Sequence, residues 1–374
     1  MASNESPQHI QYPVLSPRFW HGMPSRVWLP LLFKNSFRVS LTRLHIASGV
    51  TAFMPLSDLL GLAQHCTYGR RIAQTQLAGP PLFVLGHWRS GTTLLHELLG
   101  LDDRFASPTT FQCFAPSHFL LTESVVAKYG NWLIPNKRPM DNMKAGWSFP
   151  QEDEFALMNL GAPTPYLRLV FPCHDYQFQN TLASDGFSAK DLERWKYLFD
   201  WFLRALTYKT HKPLILKSPP HTGRLGILKS MYPDAKFVHI VRDPRKLYPS
   251  TMKMWNSLDQ VQSLQIGEYQ SKLKEFVLKS HRTMYDSFEK DRVGLTEQQL
   301  VDVHYEDLAK DPVSTCKNIY RQLELTGFEK IEPLLQNRTH QEKEYKTNRF
   351  VSDPEEDAEI MTAWHSYAAK YGYA

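Results

Sequence analysis

The stretch PLFVLGHWRSGTTLLHELLG, residues 81 to 100, constrains this chain more than any other. It runs from a continuous apolar segment through a glycine-bounded turn into helical spacing. Four residues, His87, Trp88, Arg89 and Ser90, separate Gly86 from Gly91, which is the spacing of the G-x-x-x-x-G-K-[ST] phosphate loop. The lysine of that pattern is absent. Thr92 stands in its place, and a cation appears inside the loop as Arg89. A strand ending at Gly86 and a helix beginning near Thr92 present backbone N–H groups and a positive helix end to an anion. Ser90, Thr92 and Thr93 add hydroxyl donors. A plain strand-to-helix turn would share the two glycines but has no need of the hydroxyls and Arg89 together.

Three further apolar runs, PLILK (213–217), AKFVHIV (235–241) and LVDVHY (300–305), are nearly continuous, the pattern of parallel strands covered on both faces. Helical stretches such as DLERWKYLFDWFLRALTYK (191–209) lie between them. The expected fold is therefore α/β: a P-loop-like parallel sheet flanked by helices, with ligands at the carboxyl ends of the strands. Residues 105–180, rich in Phe, Pro and Tyr, read as helices and loops capping that edge. Residues 1–79 read as an N-terminal helical extension and residues 80–374 as the α/β domain. Within the extension, VWLPLLF (27–33) and FMPLSDLLGLAQ (53–64) are broken by prolines. Its Trp20, Trp28 and Phe33 fit a packed core, with peripheral contact at a membrane surface as the alternative.

A chain of 374 residues with 42% hydrophobic content has ample material for a core. The formal charge of +5 is small and its cations are scattered, which argues against a nucleic-acid partner and allows local basic pockets. Cys66, Cys113, Cys173 and Cys316 form no C-x-x-C pair, so neither a zinc ribbon nor a disulfide framework is expected. The leading MASNESPQ is polar, and no run reaches ~18 uninterrupted apolar residues. These features predict a soluble, cytoplasmic chain without a membrane span.

A nucleoside triphosphatase uses magnesium and an Asp at a neighbouring strand end to manage its charged phosphates. Here the strand AKFVHIV ends in Arg242, with Asp243 after it. A donor with fewer charges at its reacting end dispenses with metal and lysine if a loop cation meets the bridging group. Phosphosulfates are such donors.

HWRSGTT resembles the 5′-phosphosulfate loop of the PAPS-dependent sulfotransferases, in which a Lys or Arg precedes Ser-Gly-Thr-Thr. The resemblance implies Arg89 as the loop cation and Ser90, Gly91, Thr92 and Thr93 as the cradle for the donor, 3′-phosphoadenylyl sulfate (PAPS). Cytosolic members place an aromatic residue after the two threonines to stack on adenine. Leu94 stands there, so the adenine platform lies elsewhere. FVHIVRDPRKLYPS is similar to the family's 3′-phosphate motif, with Arg242 closing a strand and Ser250 in the following helix. An arginine fork and a hydroxyl suit a terminal phosphate; a surface ion pair of Arg242 with Asp243 is the plainer reading.

PLILKSPPHTGRL places Lys217 where the family's strand-end lysine contacts the sulfuryl group. Cytosolic members keep their catalytic His two residues further on, where this chain has Pro219. The K-S-P-x-H pattern resembles a bacterial branch instead, and by that analogy His221 is a candidate base. SFPQEDEFALMNLG (148–161) offers rival carboxylates at a helix start, Glu152 first and Glu154 second, because tyrosylprotein and heparan sulfotransferases use a Glu. The helix dipole alone accounts for acids there, and packing alone for a histidine near a helix start. Between His221 and Glu152 the sequence leaves the base open.

The resemblance implies sulfuryl transfer from PAPS to an acceptor hydroxyl, with PAP as product and no metal. A base deprotonates the acceptor while Arg89, Lys217 and backbone amides stabilise the in-line transition state. Aromatic and apolar residues in TTFQCFAPSHFLL (109–121) and TPYLRLVFP (164–172) point to a small hydrophobic or phenolic acceptor. A nucleotide or small-molecule kinase would share the fold but needs the loop lysine and a metal-binding Asp. A non-catalytic adenine-nucleotide-binding module would keep the phosphate motifs and lose the base.

Overall fold

The four apolar runs form four parallel strands, β1 (Leu82–Leu85), β2 (Ile215–Lys217), β3 (Lys236–Val241) and β4 (Leu300–His304), in the order β2-β1-β3-β4. The structure is a computed structural model that describes residues 16–134, 146–173, 178–267, 270–341 and 353–374; the leading MASNESPQ lies outside the described residues. From β1 the chain travels to one side to lay down β2, then returns across β1 to lay down β3. The carboxyl ends of β1 and β3, in register at Leu85 and His239, thus form the switch point where open α/β sheets bind ligands.

Side chains alternate across the sheet with the period of a strand. Leu82, Val84, Ile215, Val238 and Ile240 pack on one face with α3 (Thr92–Leu99) and, further along the chain, with Ile319 and Tyr320. Phe83, Leu85, Leu216 and Phe237 pack on the other face, where Phe83 meets Phe199 at 6.3 Å. A cap over the carboxyl edge comprises α4 (Thr110–Phe114), α5 (Phe119–Tyr129) and α6 (Asp153–Leu160). Next come α7 (Ala189–Thr210), α8 (Leu225–Met231), α9 (Pro244–Gln262) and α10 (Gln270–Asp291). After β4 follow α11 (Tyr305–Lys310), α12 (Pro312–Gln322), α13 (Phe328–Gln341), α14 (Pro354–Ala363) and α15 (His365–Lys370).

The N-terminal extension contains α1 (Ser25–Lys34) and the long α2 (Leu44–Gln74). Pro30 and Pro55 lie inside these helices and do not break them as the sequence suggested. A proline removes one i→i−4 bond, a loss that a helix packed along its length can absorb. Trp20 and Trp28 are fully buried and stack at 5.4 Å; their indole N–H groups donate to the Gln262 carbonyl and the Thr51 hydroxyl. These two tryptophans are core, so membrane contact through them is excluded, whereas Phe33 is 67% exposed. The helical run Leu41–Gln74 is long and apolar enough to cross a membrane by length and composition, with mean hydropathy 1.4 and 22% of that window buried. Counting uninterrupted apolar residues overlooked it, because scattered polar residues such as Ser48, Thr51, Ser57 and Asp58 interrupt the run while its average stays apolar.

Candidate active site

Between β1 and α3 the backbone turns through Gly86 and Gly91, both at positive φ (+146° and +104°). A Cβ on Gly86 would lie 2.6 Å from the Ile240 carbonyl oxygen, and one on Gly91 would lie 2.4 Å from the Tyr305 ring. The tightness of the loop therefore depends on glycine at both ends. Arg89 also sits in the left-handed region, at φ 68°, a strained setting for a branched-free but long side chain. The Gly86 N–H donates to Thr222 Oγ1 at 2.7 Å, and the Thr251 hydroxyl donates to the Trp88 carbonyl at 3.1 Å. The buried Ser90 hydroxyl turns inward to the His87 carbonyl at 2.8 Å, so its bond holds the loop's shape. Thr92 and Thr93 open α3, whose first N–H groups have no partner within the helix and face the loop.

Beside this loop stand the two residues of the second motif. Arg89 Nε donates to Ser250 Oγ at 3.1 Å, and Arg242 Nη1 donates to the Arg89 carbonyl at 2.9 Å. The Arg242 guanidinium lies 4.3 Å from the centre of the Tyr305 ring. Burial, with Arg89 nearby, lowers its affinity for a proton, which leaves a partly desolvated cation suited to an anion. The Tyr367 hydroxyl fixes the Arg242 backbone from both sides, accepting from its N–H at 2.9 Å and donating to its carbonyl at 3.0 Å. Asp243 does not pair with Arg242. It caps α9 and binds Arg245 at 2.9 Å.

At the end of β2, Lys217 is 2% exposed and its ammonium reaches Glu152 Oε1 at 2.8 Å and Thr93 Oγ1 at 3.5 Å. The second Glu152 oxygen accepts from the Tyr166 hydroxyl at 2.5 Å, and that hydroxyl accepts from Trp88 Nε1 at 2.9 Å. Burial first, and the Glu152 charge second, push the Tyr166 phenol well above its ordinary pKa, so it remains a donor. A chain of hydrogen bonds therefore runs from the phosphate loop through Trp88 and Tyr166 to Glu152, and back to the loop through Lys217 and Thr93.

Three consecutive carboxylates at the start of α6 each face a different cation or ring. Glu152 meets Lys217. Asp153 takes His221 Nε2 at 2.5 Å and the Ser218 hydroxyl at 3.0 Å. Glu154 takes both ends of the Arg224 guanidinium, at 2.7 and 3.0 Å, and the Thr164 hydroxyl. Burial would raise the Asp153 carboxyl, but the His221 ring and the Ser218 hydroxyl hold it below the usual carboxylate range. Asp153, Glu154, His221 and Arg224 are all fully buried, and His221 sits among the rings of Phe83, Trp195 and Phe199. Glu152 is the member of the three whose side chain keeps some exposure, 13%. It borders a crevice of about 30 Å³ lined by Phe19, Trp88, Phe155, Tyr166, Met254 and Trp255 among others. That space holds no more than a few waters; a bulkier guest requires side chains such as the flexible Met254 to move.

The structure thus brings Arg89, Ser90, Gly91, Thr92, Thr93, Lys217, Arg242, Ser250 and Glu152 to one edge of the sheet, and sets His221 one layer beneath. Sequence reasoning missed Trp88, Tyr166, Thr222 and Tyr367. Tyr166 lay in a stretch noted only for its apolar character, and nothing local marks Tyr367 as a partner of Arg242.

A parallel sheet flanked by helices, with a glycine-bounded strand-to-helix loop at its switch point and Lys217 and Arg242 at neighbouring strand ends, is an α/β protein of P-loop-like fold. Residues 80–330 match the sulfotransferase family, and the chain belongs to that family. It is similar to the omega-hydroxy-beta-dihydromenaquinone-9 sulfotransferase Stf3 of Mycobacterium bovis and of Mycobacterium tuberculosis, each 37% identical over 354 residues, covering 95% of this chain and 91% of the relative. Among solved structures, sulfotransferase STF9 from Mycobacterium avium superposes with a TM-score of 0.65 at 16% identity, covering 93% of this chain and 96% of that one. Sulfotransferase STF1 from Mycobacterium tuberculosis gives a TM-score of 0.58 at 17% identity, covering 94% of each chain. The protein is an enzyme of sulfuryl transfer.

Proposed function

We propose that the enzyme transfers a sulfuryl group from PAPS to the hydroxyl of a lipophilic acceptor, with Glu152 as the base. The observation that carries this reading is the Glu152 carboxylate, which lines a largely apolar crevice and lies 2.8 Å from Lys217. Arg242 and Ser250 hold the donor's 3′-phosphate, and the backbone and hydroxyls of residues 89–93 hold its 5′-phosphosulfate. Glu152 takes the acceptor proton, the acceptor oxygen forms a bond to sulfur, and the bond from sulfur to the phosphate oxygen breaks. The electron pair leaves with PAP. Lys217, hydrogen-bonded to both Glu152 and the loop, and Arg89 offset negative charge on the moving group. The scheme draws on side chains and backbone amides alone, without a metal.

His221 fits a positioning role. Its pairing with Asp153 inside an aromatic cage fixes the first turn of α6, and with it the aim of Glu152. The extension up to residue 79 contributes Phe19 to the crevice wall, and the α/β unit supplies the chemistry. Because the curated relatives are named for a hydroxylated dihydromenaquinone, a large apolar molecule with one reactive hydroxyl is the acceptor class to try first. A reducing, cytoplasmic setting suits four thiols that are all unpaired. Labelled PAPS offered with lipid, phenol and sugar alcohols tests the whole reading. Transfer to an apolar alcohol that Glu152→Gln abolishes supports it, and magnesium-dependent transfer from ATP would sink it.

A further inference from the structure

From residue 44 to residue 69, α2 carries a single Asp, Glu, Lys or Arg, namely Asp58, and that carboxylate accepts from the Ser25 N–H at 3.0 Å. On the outward side, Phe53, Leu56, Leu59 and Leu62 are 48, 47, 62 and 59% exposed. Leu44 and Leu41 continue this surface toward Phe37 and Phe33, which meet edge to face at 4.8 Å. Eight of the sixteen strongly exposed large apolar side chains among the described residues fall between residues 33 and 62, five of them on α2, so the exposure is concentrated on the N-terminal extension. Apolar patches of this kind mark a surface that is covered in use. From Leu44 to Leu62 the face runs for ~27 Å.

Its ends are cationic. Lys34 and Arg38 are exposed near one end, and Arg70 and Arg71 at the other. An apolar helical face bordered by cations matches a helix lying at the boundary between headgroups and acyl chains of anionic lipid, where leucines enter and arginines meet phosphates. The opposite face of α2 is committed to the protein. Ile46, Ala47 and Val50 are buried there, Thr51 binds Trp28, and Gln64 Oε1 accepts from the Leu120 N–H at 2.8 Å. Crossing the bilayer would strip those contacts, so this helix suits a place on a membrane surface and not a span.

We propose that the outward face of α2 from Leu44 to Leu62, together with Phe33 and Phe37, docks on the surface of a bilayer that contains anionic lipid. The inward face packs toward the crevice: Trp28 stacks on Trp20, and the chain neighbour of Trp20, Phe19, stacks at 4.2 Å on Phe155 at the crevice wall. On the sulfuryl-transfer reading, an acceptor dissolved in the bilayer would then reach Glu152 through the N-terminal wall without a passage through bulk water.

Flotation of the full chain with phosphatidylcholine vesicles, with and without phosphatidylglycerol, tests the proposal without any turnover, so its failure is separable from failure of the catalytic assignment. The wild type is expected to float with phosphatidylglycerol vesicles. Leu59→Asp combined with Leu62→Asp should lower partitioning at least about tenfold while PAP binding by calorimetry stays intact. Arg38→Glu with Arg70→Glu should weaken binding to the anionic vesicles and leave the weaker phosphatidylcholine binding as it was. If the double aspartate variant lost PAP affinity, Phe53→Ser with Leu56→Ser would be read in its place. A wild type that floats with neither vesicle overturns the proposal. So does a lipid-free dimer that the leucine variants dissociate without changing flotation, because the face would then belong to a second copy of the chain.

Discussion

Glu152 holds its two carboxylate oxygens between Lys217 at 2.8 Å and the Tyr166 hydroxyl at 2.5 Å. Both partners donate, so the carboxylate is held in one orientation beside the crevice that Glu152 helps to line. Glu152→Gln is expected to lower turnover by ~10²- to 10⁴-fold and to spare PAP affinity. Tyr166→Phe removes one neutral donor and should cost about tenfold, ~1.4 kcal/mol. His221→Gln should act mainly on stability, by ~1–3 kcal/mol, because Asp153 loses its buried partner. Single-turnover rates beside urea midpoints check all three. A stable His221→Gln protein with turnover as low as that of Glu152→Gln would move the base to His221.

The two cationic sites should separate in binding measurements. Arg242→Ala is expected to weaken PAP binding by ~2 kcal/mol, the loss of a charge-assisted contact. Lys217→Ala should lower turnover more than PAP affinity, since its ammonium lies at Glu152 and Thr93, away from Arg242 and Ser250. Titration calorimetry paired with initial rates is the measurement; equal effects of the two variants on affinity would refute the division.

Gly86→Ala would place a methyl group 2.6 Å from the Ile240 carbonyl oxygen, at a φ that alanine rarely adopts. A cost of ~1–3 kcal/mol follows from the strain alone. The displaced loop should also bind PAP less well. Thermal melts with and without PAP check this, and an unchanged melt with full PAP protection would show that the loop can relax.

Acid should unfold this protein early. Burial lowers His87 and His96 to a pKa of about 3 and holds His281 well below its ordinary value. In the unfolded chain such rings protonate near pH ~6.5. Between that pH and about 3 the unfolded state therefore binds protons that the folded state refuses, so stability falls as pH falls. Each ring contributes up to about 1.4 kcal/mol per pH unit in that window. Urea midpoints at successive pH values should drop steadily below pH ~6.5; a level profile down to pH ~5 would contradict the burial of these rings.

Strands and loop were legible because their signals are local. The run 235–241 became Lys236–Val241 and the run 300–305 became Leu300–His304, since unbroken apolar stretches bounded by turns have few alternatives inside a covered sheet. The gathering of Arg89, Lys217 and Arg242 followed from local signals, Arg89 read inside the loop after β1, and Lys217 and Arg242 read at the ends of parallel strands. Relations across the fold were not legible. The sequence ranks Glu152 ahead of Glu154 at a helix start, but it could not show the tertiary partner of each of Glu152, Asp153 and Glu154: Lys217, His221 and Arg224. Trp20 and Trp28 could not be assigned to core or surface until Gln262 and Thr51 were known to receive their N–H groups.

Tyr367 fastens the backbone of a residue made 125 positions before it. On a ribosome, the loop, β1, β2 and β3 emerge with Arg242 still lacking this clasp, and only a nearly finished polypeptide can close it. A chain broken off before residue 367 would retain the sheet-forming sequences and the loop glycines, yet its Arg242 backbone would lack both bonds to the Tyr367 hydroxyl; such an interrupted product is expected to hold nucleotide less firmly than the finished chain.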